Sequence, residues 1–96
     1  MARVVLGSAL ARWLDGGAGG TGERSLDVQA DTLGAALGRV FDAHPSLRGY
    51  VLDEHGAVRH HLALFVDGEA VRDKRALDQA IGPNAEIYVM QALSGG

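Results

Sequence analysis

Ninety-six residues make one domain, small enough that folding buries only about 60–65% of the unfolded surface, which leaves little room for an enzyme cleft. The 47% apolar and 22% charged content belongs to a globular chain rather than a disordered one. Nine basic against twelve acidic residues give a net charge of −3 with no basic stripe, which argues against nucleic-acid binding and fits an acidic protein that meets a basic partner surface.

Arg3 to Leu6 is rich in β-branched residues and predicts a first strand. Met1 to Ala11 has the outline of a secretory signal, with one basic residue, a short apolar run and Ala-x-Ala. That run contains Gly7 and Ser8 and stops at Arg12, and cleavage would remove the strand. No stretch approaches transmembrane length, so a cytoplasmic protein without membrane contact is expected. Ala9 to Leu14 shows no decisive period, and Trp13 is expected to pack beside the first hairpin. Gly16 to Gly22 is too glycine-rich for a helix or a strand and predicts a loop. Leu26, Val28 and Ala30 then alternate with polar residues, the period-two pattern of a half-buried strand.

The helix is the clearest element. Asp31 or Thr32 can cap it, and Leu33, Ala36, Leu37, Val40 and Phe41 draw one apolar stripe. His44-Pro45 ends it, because the residue before proline is pushed out of the α region. Gly34 and Gly38 lie one turn apart, either permitting close approach of a neighbouring backbone or simply tolerated at the surface. Leu47 to Leu52 reads as an apolar connection and Asp53 to Gly56 as a polar turn.

Leu62, Leu64 and Val66 predict a strand, Asp67-Gly68 a tight hairpin turn, and Glu69 to Val71 a short return. Gly82-Pro83-Asn84 turns the chain into a last strand carrying Ile87 and Val89 on one face. If Leu62, Leu64, Val66, Ile87 and Val89 face the helix, Phe65, Tyr88 and Met90 point to the other side of the sheet. There they would form an exposed apolar patch suited to a partner.

The sequence ends Leu93-Ser94-Gly95-Gly96. Two glycines carry no Cβ and can thread a channel too narrow for other side chains. A terminal α-carboxyl group, with an ordinary pKa of about 3.3–3.7, is ionised near neutral pH and can attack the α-phosphate of ATP to give an acyl-adenylate. With 14 glycines in the chain, composition alone yields such a pair about two per cent of the time, so the ending gains weight only from the scaffold that displays it.

That scaffold has the element order of a β-grasp, strand, strand, helix, then further strands to the C-terminus. Asp31 to Ala35 opening the helix, Leu64-Phe65-Val66-Asp67-Gly68-Glu69 at the hairpin and Ile87 to Gly96 at the end resemble the MoaD/ThiS-type sulfur carriers, and the resemblance covers nearly the whole chain. It implies an α+β ubiquitin-like β-grasp fold with a mixed sheet wrapped around one main helix. Residues 1–90 would form the domain and 91–96 a flexible diglycine tail. It also implies a carrier that is not itself an enzyme, although it can serve as the small subunit of a synthase.

In that family a ubiquitin-activating-like enzyme uses ATP to adenylate the terminal glycine, a sulfur donor converts it to a thiocarboxylate, and a sulfur-accepting synthase consumes the sulfur. The products lie in molybdopterin, thiamine or cysteine synthesis. Gly96 maps onto the acyl site and Gly95 onto its unhindered neighbour. Phe65, Tyr88, Met90, Leu93 and Ser94 are expected to contact partners. No permanently bound cofactor and no metal is expected. A ubiquitin-like modifier joined to lysines through Gly96 uses the same activation and is the rival reading.

Other motifs weigh less. Gly17, Gly19 and Gly22 satisfy G-x-G-x-x-G, but a strand follows where a dinucleotide site needs a helix. His60 and His61 would point to opposite faces of a strand and cannot share one ion. His44 and His55 lack ligand partners at metal-site spacing. Asp53-Glu54, Asp73 and Asp78 have no apolar surroundings to raise a carboxyl pKa, so a solvated surface is expected for each.

Overall fold

A computed structural model of the chain describes residues 1–11, 24–59, 61–71 and 77–91. The glycine-rich stretch, Trp13, His60, Asp73 and the terminal residues 92–96 lie outside the described residues.

Strands β1 (Ala2–Leu6) and β2 (Arg24–Val28) are joined through a short helix α1 (Ser8–Ala11) and the segment that follows it. The main helix α2 (Leu33–Ala43) comes next, then a 3-10 turn (Pro45–Leu47), a one-turn helix α3 (Arg48–Val51), and strands β3 (Leu62–Val66), β4 (Glu69–Ala70) and β5 (Glu86–Gln91). The described strands form one sheet in the order β2-β1-β5-β3-β4. β1 and β5 run parallel side by side at its centre, and the remaining pairs are antiparallel. This is the expected mixed β-grasp sheet.

Alternation decides which side chains meet the helix. Val4, Leu6, Leu62, Leu64, Ile87 and Val89 are all buried and join Leu33, Ala36, Leu37, Val40 and Phe41 of α2 in one core. Val66 packs against that core while half-buried. The whole predicted stripe of α2 is therefore inside.

The first three amides of α2, Leu33 to Ala35, which lack partners inside the helix, all find acceptors. Thr32, in extended backbone, is the cap: its side chain accepts from the Ala35 N–H at 3.1 Å and its carbonyl from the Ala36 N–H at 3.0 Å. Leu33 and Gly34 donate instead to the carbonyls of Gln79 (3.0 Å) and Leu77 (2.6 Å). Gly34 is required by this approach, since a Cβ there would lie 2.9 Å from the Leu77 carbonyl oxygen. Gly38 faces open space. Of the two readings of this glycine pair, close approach holds for Gly34 and surface tolerance for Gly38.

Elsewhere the structure differs from the reading of the sequence. The connection from Leu47 to Leu52 is helical over most of its length, with Leu47 and Val51 buried, because Pro45 stands in the first turn of the new helical run, where its missing N–H costs nothing. β2 stops at Val28, two residues before Ala30.

Candidate functional site

The face of the sheet turned away from α2 can be built row by row from strand register. Its middle row runs Ser25, Val5, Tyr88, Phe65 and Ala70 across β2, β1, β5, β3 and β4. Met90 and Ala63 are opposed one step toward the C-terminal end of β5. Asp27, Arg3 and Glu86 form the row on the other side.

Phe65, Tyr88 and Met90 thus share one face as alternation requires, and each is half-buried. The expectation of an exposed patch is corrected by this. Phe65 and Tyr88 are direct cross-strand neighbours on this face. Val5, beside Tyr88 and outside the helix-side core, keeps only 4% of its surface exposed. Among the described residues the large apolar side chains that stand open are Met1 and Tyr50.

Gly7 sets the spacing at the end of this face. Its N–H donates to the Val89 carbonyl at 2.8 Å, and a Cβ at Gly7 would lie 3.0 Å from the Cβ of Met90. That Val5 and Gly7 belong to this face escaped the reading of the sequence. Their signal was the pairing of β1 with β5, a contact between the two ends of the chain that no local period announces.

The polar row is ordered by ions and by the hairpin. Arg3 pairs with Asp27 at 3.6 Å, both exposed, and has Glu86 as its cross-strand neighbour on the other side. Asp67 takes a left-handed backbone (φ 51°) followed by Gly68 (φ 85°), the two positive values of a type I′ hairpin turn. Its carboxylate accepts the Glu86 N–H at 2.9 Å and its own N–H donates to the Glu86 carbonyl at 2.8 Å. An acidic border of Asp27, Glu86 and Asp67 with Arg3 among them flanks the apolar row.

Other candidates do not converge. His61, Glu54 and Asp78 are exposed and His44 is half-buried in its turn. Asp53 binds backbone amides of its own loop. Among the described residues no group of three His, Cys, Asp or Glu side chains could hold a metal ion. No described helix is long and apolar enough to cross a membrane. Gly95, Gly96, Leu93 and Ser94 fall outside the described residues; β5, which leads to them, includes Gln91.

No protein-family model matches the chain. A curated relative does: small archaeal modifier protein 1 of Haloferax volcanii is 32% identical over 78 residues, spanning 78% of this chain and 85% of the relative. The chain belongs to the ubiquitin-like modifier and sulfur-carrier family. The crystal structure of the Haloferax protein superposes with a TM-score of 0.72 at 28% identity, over 99% of this chain and 98% of that one. Two more distant structures share the fold. CysO of Mycobacterium tuberculosis has a TM-score of 0.72 at 22% identity, covering 94% of this chain and 99% of its own. CysO of Amycolatopsis orientalis, in complex with BexX, has a TM-score of 0.73 at 20% identity, covering 97% and 99%. This modifier and sulfur-carrier family consists of small carrier and modifier proteins rather than catalysts.

Proposed function

We propose that this chain is a sulfur carrier and a protein substrate, activated at the carboxylate of Gly96. The carboxylate oxygen attacks the α-phosphate of ATP in an activating enzyme, pyrophosphate leaves, and a sulfur donor then displaces AMP to give a thiocarboxylate. A synthase takes up that sulfur for molybdopterin, thiamine or cysteine formation in the cytoplasm, and the carrier can be the small subunit of that synthase.

The observation that carries this reading is the position of β5. It lies between β1 and β3, so Gly95 and Gly96 come four and five residues after the end of a strand held on both edges, in a chain of the modifier and carrier family. The half-buried Phe65–Tyr88–Met90 face and its acidic border lie beside the same strand and suit a partner with a basic, partly apolar surface. Leu93 and Ser94 would be read inside the partner's channel along with the glycines.

The name of the Haloferax relative supports a second reading, conjugation through Gly96 to lysines of other proteins. Intact mass spectrometry after incubation with the cognate activating enzyme, ATP and a sulfur donor tests both. A sulfur-for-oxygen mass increment on the C-terminal peptide alone is the result expected. Lysine conjugates without that increment would replace the carrier by the modifier, and deleting Gly96 should abolish either product while stability stays within about 0.5 kcal/mol.

A further inference from the structure

The Asp67-Gly68 pair that turns β3 into β4 carries a reactivity that the other described aspartates lack. In each of those the next residue bears a Cβ, as in Asp27-Val28, Asp31-Thr32 and Asp53-Glu54, and that carbon crowds the nitrogen of the following peptide. Gly68 has none. Its nitrogen stands at the spacing from the Asp67 carboxyl that closes a five-membered ring. Both residues are exposed, and a Cβ placed on Gly68 would meet nothing within 4 Å, so the ring has room to form.

Ring closure is a dehydration. The Gly68 nitrogen bonds to Cγ of Asp67, its proton and the hydroxyl of the protonated carboxyl leave as water, and a succinimide results. Water then adds to one of the two ring carbonyls. Attack at Cγ restores aspartate, whereas attack at the α-carbonyl carbon leaves the chain running through Cγ, an isoaspartate of unchanged mass with one extra methylene in the main chain. No co-reactant other than water is consumed.

The fold opposes the first step. The Asp67 carboxylate is held on the Glu86 N–H at 2.9 Å, while the Asp67 N–H is held on the Glu86 carbonyl at 2.8 Å. Turning Cγ toward the Gly68 nitrogen breaks the first bond and strains the second. Closure therefore waits for the hairpin to leave β5. β4 is two residues long, lies at the edge of the sheet and is registered only through Phe65↔Ala70 and Val66↔Glu69, so this opening is local and does not require the core to unfold.

We propose that Asp67-Gly68 is a site of spontaneous isoaspartate formation whose rate is set by opening of the Asp67–Glu86 contact, and that the isomer cannot close that contact again. The extra methylene lengthens a turn whose two positive φ values, 51° and 85°, match the twist of the flanking strands. The carboxylate of the isomer hangs from the α-carbon instead of the β-carbon. The first residue of β5 then loses the acceptor of its N–H. This modification is separate from the chemistry at Gly96 and does not depend on it.

The test compares the full-length protein with a capped peptide of residues 62–71 at neutral pH and physiological temperature. Trypsin cuts after Arg59 and Arg72, so Asp67 is released apart from Asp15-Gly16, the other such pair in the chain, and electron-transfer fragmentation distinguishes isoaspartate from aspartate. Isoaspartate at position 67 should accumulate in the folded protein at least about tenfold more slowly than in the peptide, a factor that corresponds to about 1.4 kcal/mol of opening free energy. In a series of urea concentrations below the unfolding transition, the slowing should follow the hydrogen-exchange protection factor of the Glu86 amide. Glu86→Pro removes that N–H at the first residue of a strand, where proline is tolerated, and should bring the rate toward that of the peptide. Should Glu86→Pro unfold, the urea series on wild-type protein decides alone. The purified isomer should show an unprotected Glu86 amide. Wild-type protein reacting at the rate of the peptide, slowing that ignores the protection of Glu86, a folded Glu86→Pro that reacts as slowly as wild type, or an isomer with Glu86 protected as before would each overturn the proposal.

Discussion

Asp67 and Glu86 hold each other at both ends: the Asp67 carboxylate accepts the Glu86 N–H while the Asp67 N–H donates to the Glu86 carbonyl. The turn between β3 and β4 is thereby bound to the first residue of β5, the strand that carries the chain toward its terminus. Asp67→Ala removes the carboxylate and leaves a Cβ-bearing residue with no local hydrogen bond at positive φ. It should cost about 1–3 kcal/mol in a urea melt. Asp67→Asn keeps an acceptor and a residue tolerant of this backbone, and should stay within about 1 kcal/mol of wild type. Equal losses for both would show that the carboxylate contact is not what holds the turn.

The two helix glycines should respond with opposite signs. Gly34→Ala drives a Cβ to 2.9 Å from the Leu77 carbonyl oxygen, so the segment after Leu77 must shift and stability should fall. Gly38→Ala enters open space and should gain about 0.5–1 kcal/mol of helix propensity. Thermal melts of the pair check this, and a stabilising Gly34→Ala would contradict the close contact.

Leu37 is 2% exposed at the centre of the α2 stripe. Leu37→Ala should cost about 2–5 kcal/mol. An unchanged urea midpoint would remove it from the core.

Asp53 governs a mild acid sensitivity. Its carboxylate accepts the N–H of His55 at 2.8 Å and of Ala57 at 3.1 Å, and these bonds, that to His55 first, hold its pKa below the ordinary 3.8. A carboxyl whose folded value is depressed contributes its stabilisation fully above the unfolded value and loses it as pH falls through the folded one. The acid limb of the stability curve below pH 3.8 should therefore flatten in Asp53→Asn. A carboxyl carbon titration by NMR should place the Asp53 midpoint below that value, and a midpoint above it would contradict the turn geometry.

Phe65→Ala separates docking from folding. Phe65 is half-buried on the outer face and absent from the helix-side core, so the variant should keep its fold while binding the activating enzyme more weakly, in calorimetric titration. A loss of stability as large as that of Leu37→Ala would instead make Phe65 a structural residue.

Local period made most of the framework legible. The α2 stripe, the Asp67-Gly68 turn and the alternation of β3 and β5 each occupy a few consecutive residues, and each was found where the pattern lies. The 3-10 turn and α3 were not, because three and four residues are too few to display a helical period. Contacts between distant segments were equally hidden. Nothing in Gly7 announces Met90, nothing in Gly34 announces Leu77, and nothing in Tyr88 announces Val5, its cross-strand neighbour from the other end of the chain. The functional clue was of another kind, a chemical one at Gly95 and Gly96, readable without any structure.

The parallel pairing of β1 with β5 has a mechanical consequence. A load drawn from the end of β5 against the start of β1 pulls the two strands along their common direction, so the hydrogen bonds of that ladder bear tension together in shear. An antiparallel hairpin such as β3–β4, pulled at its open end, peels one bond at a time. Force-driven unravelling is governed by the unfolding barrier rather than by equilibrium stability. A protein handled by its last residues would in this way resist being pulled apart by the partners that grip it.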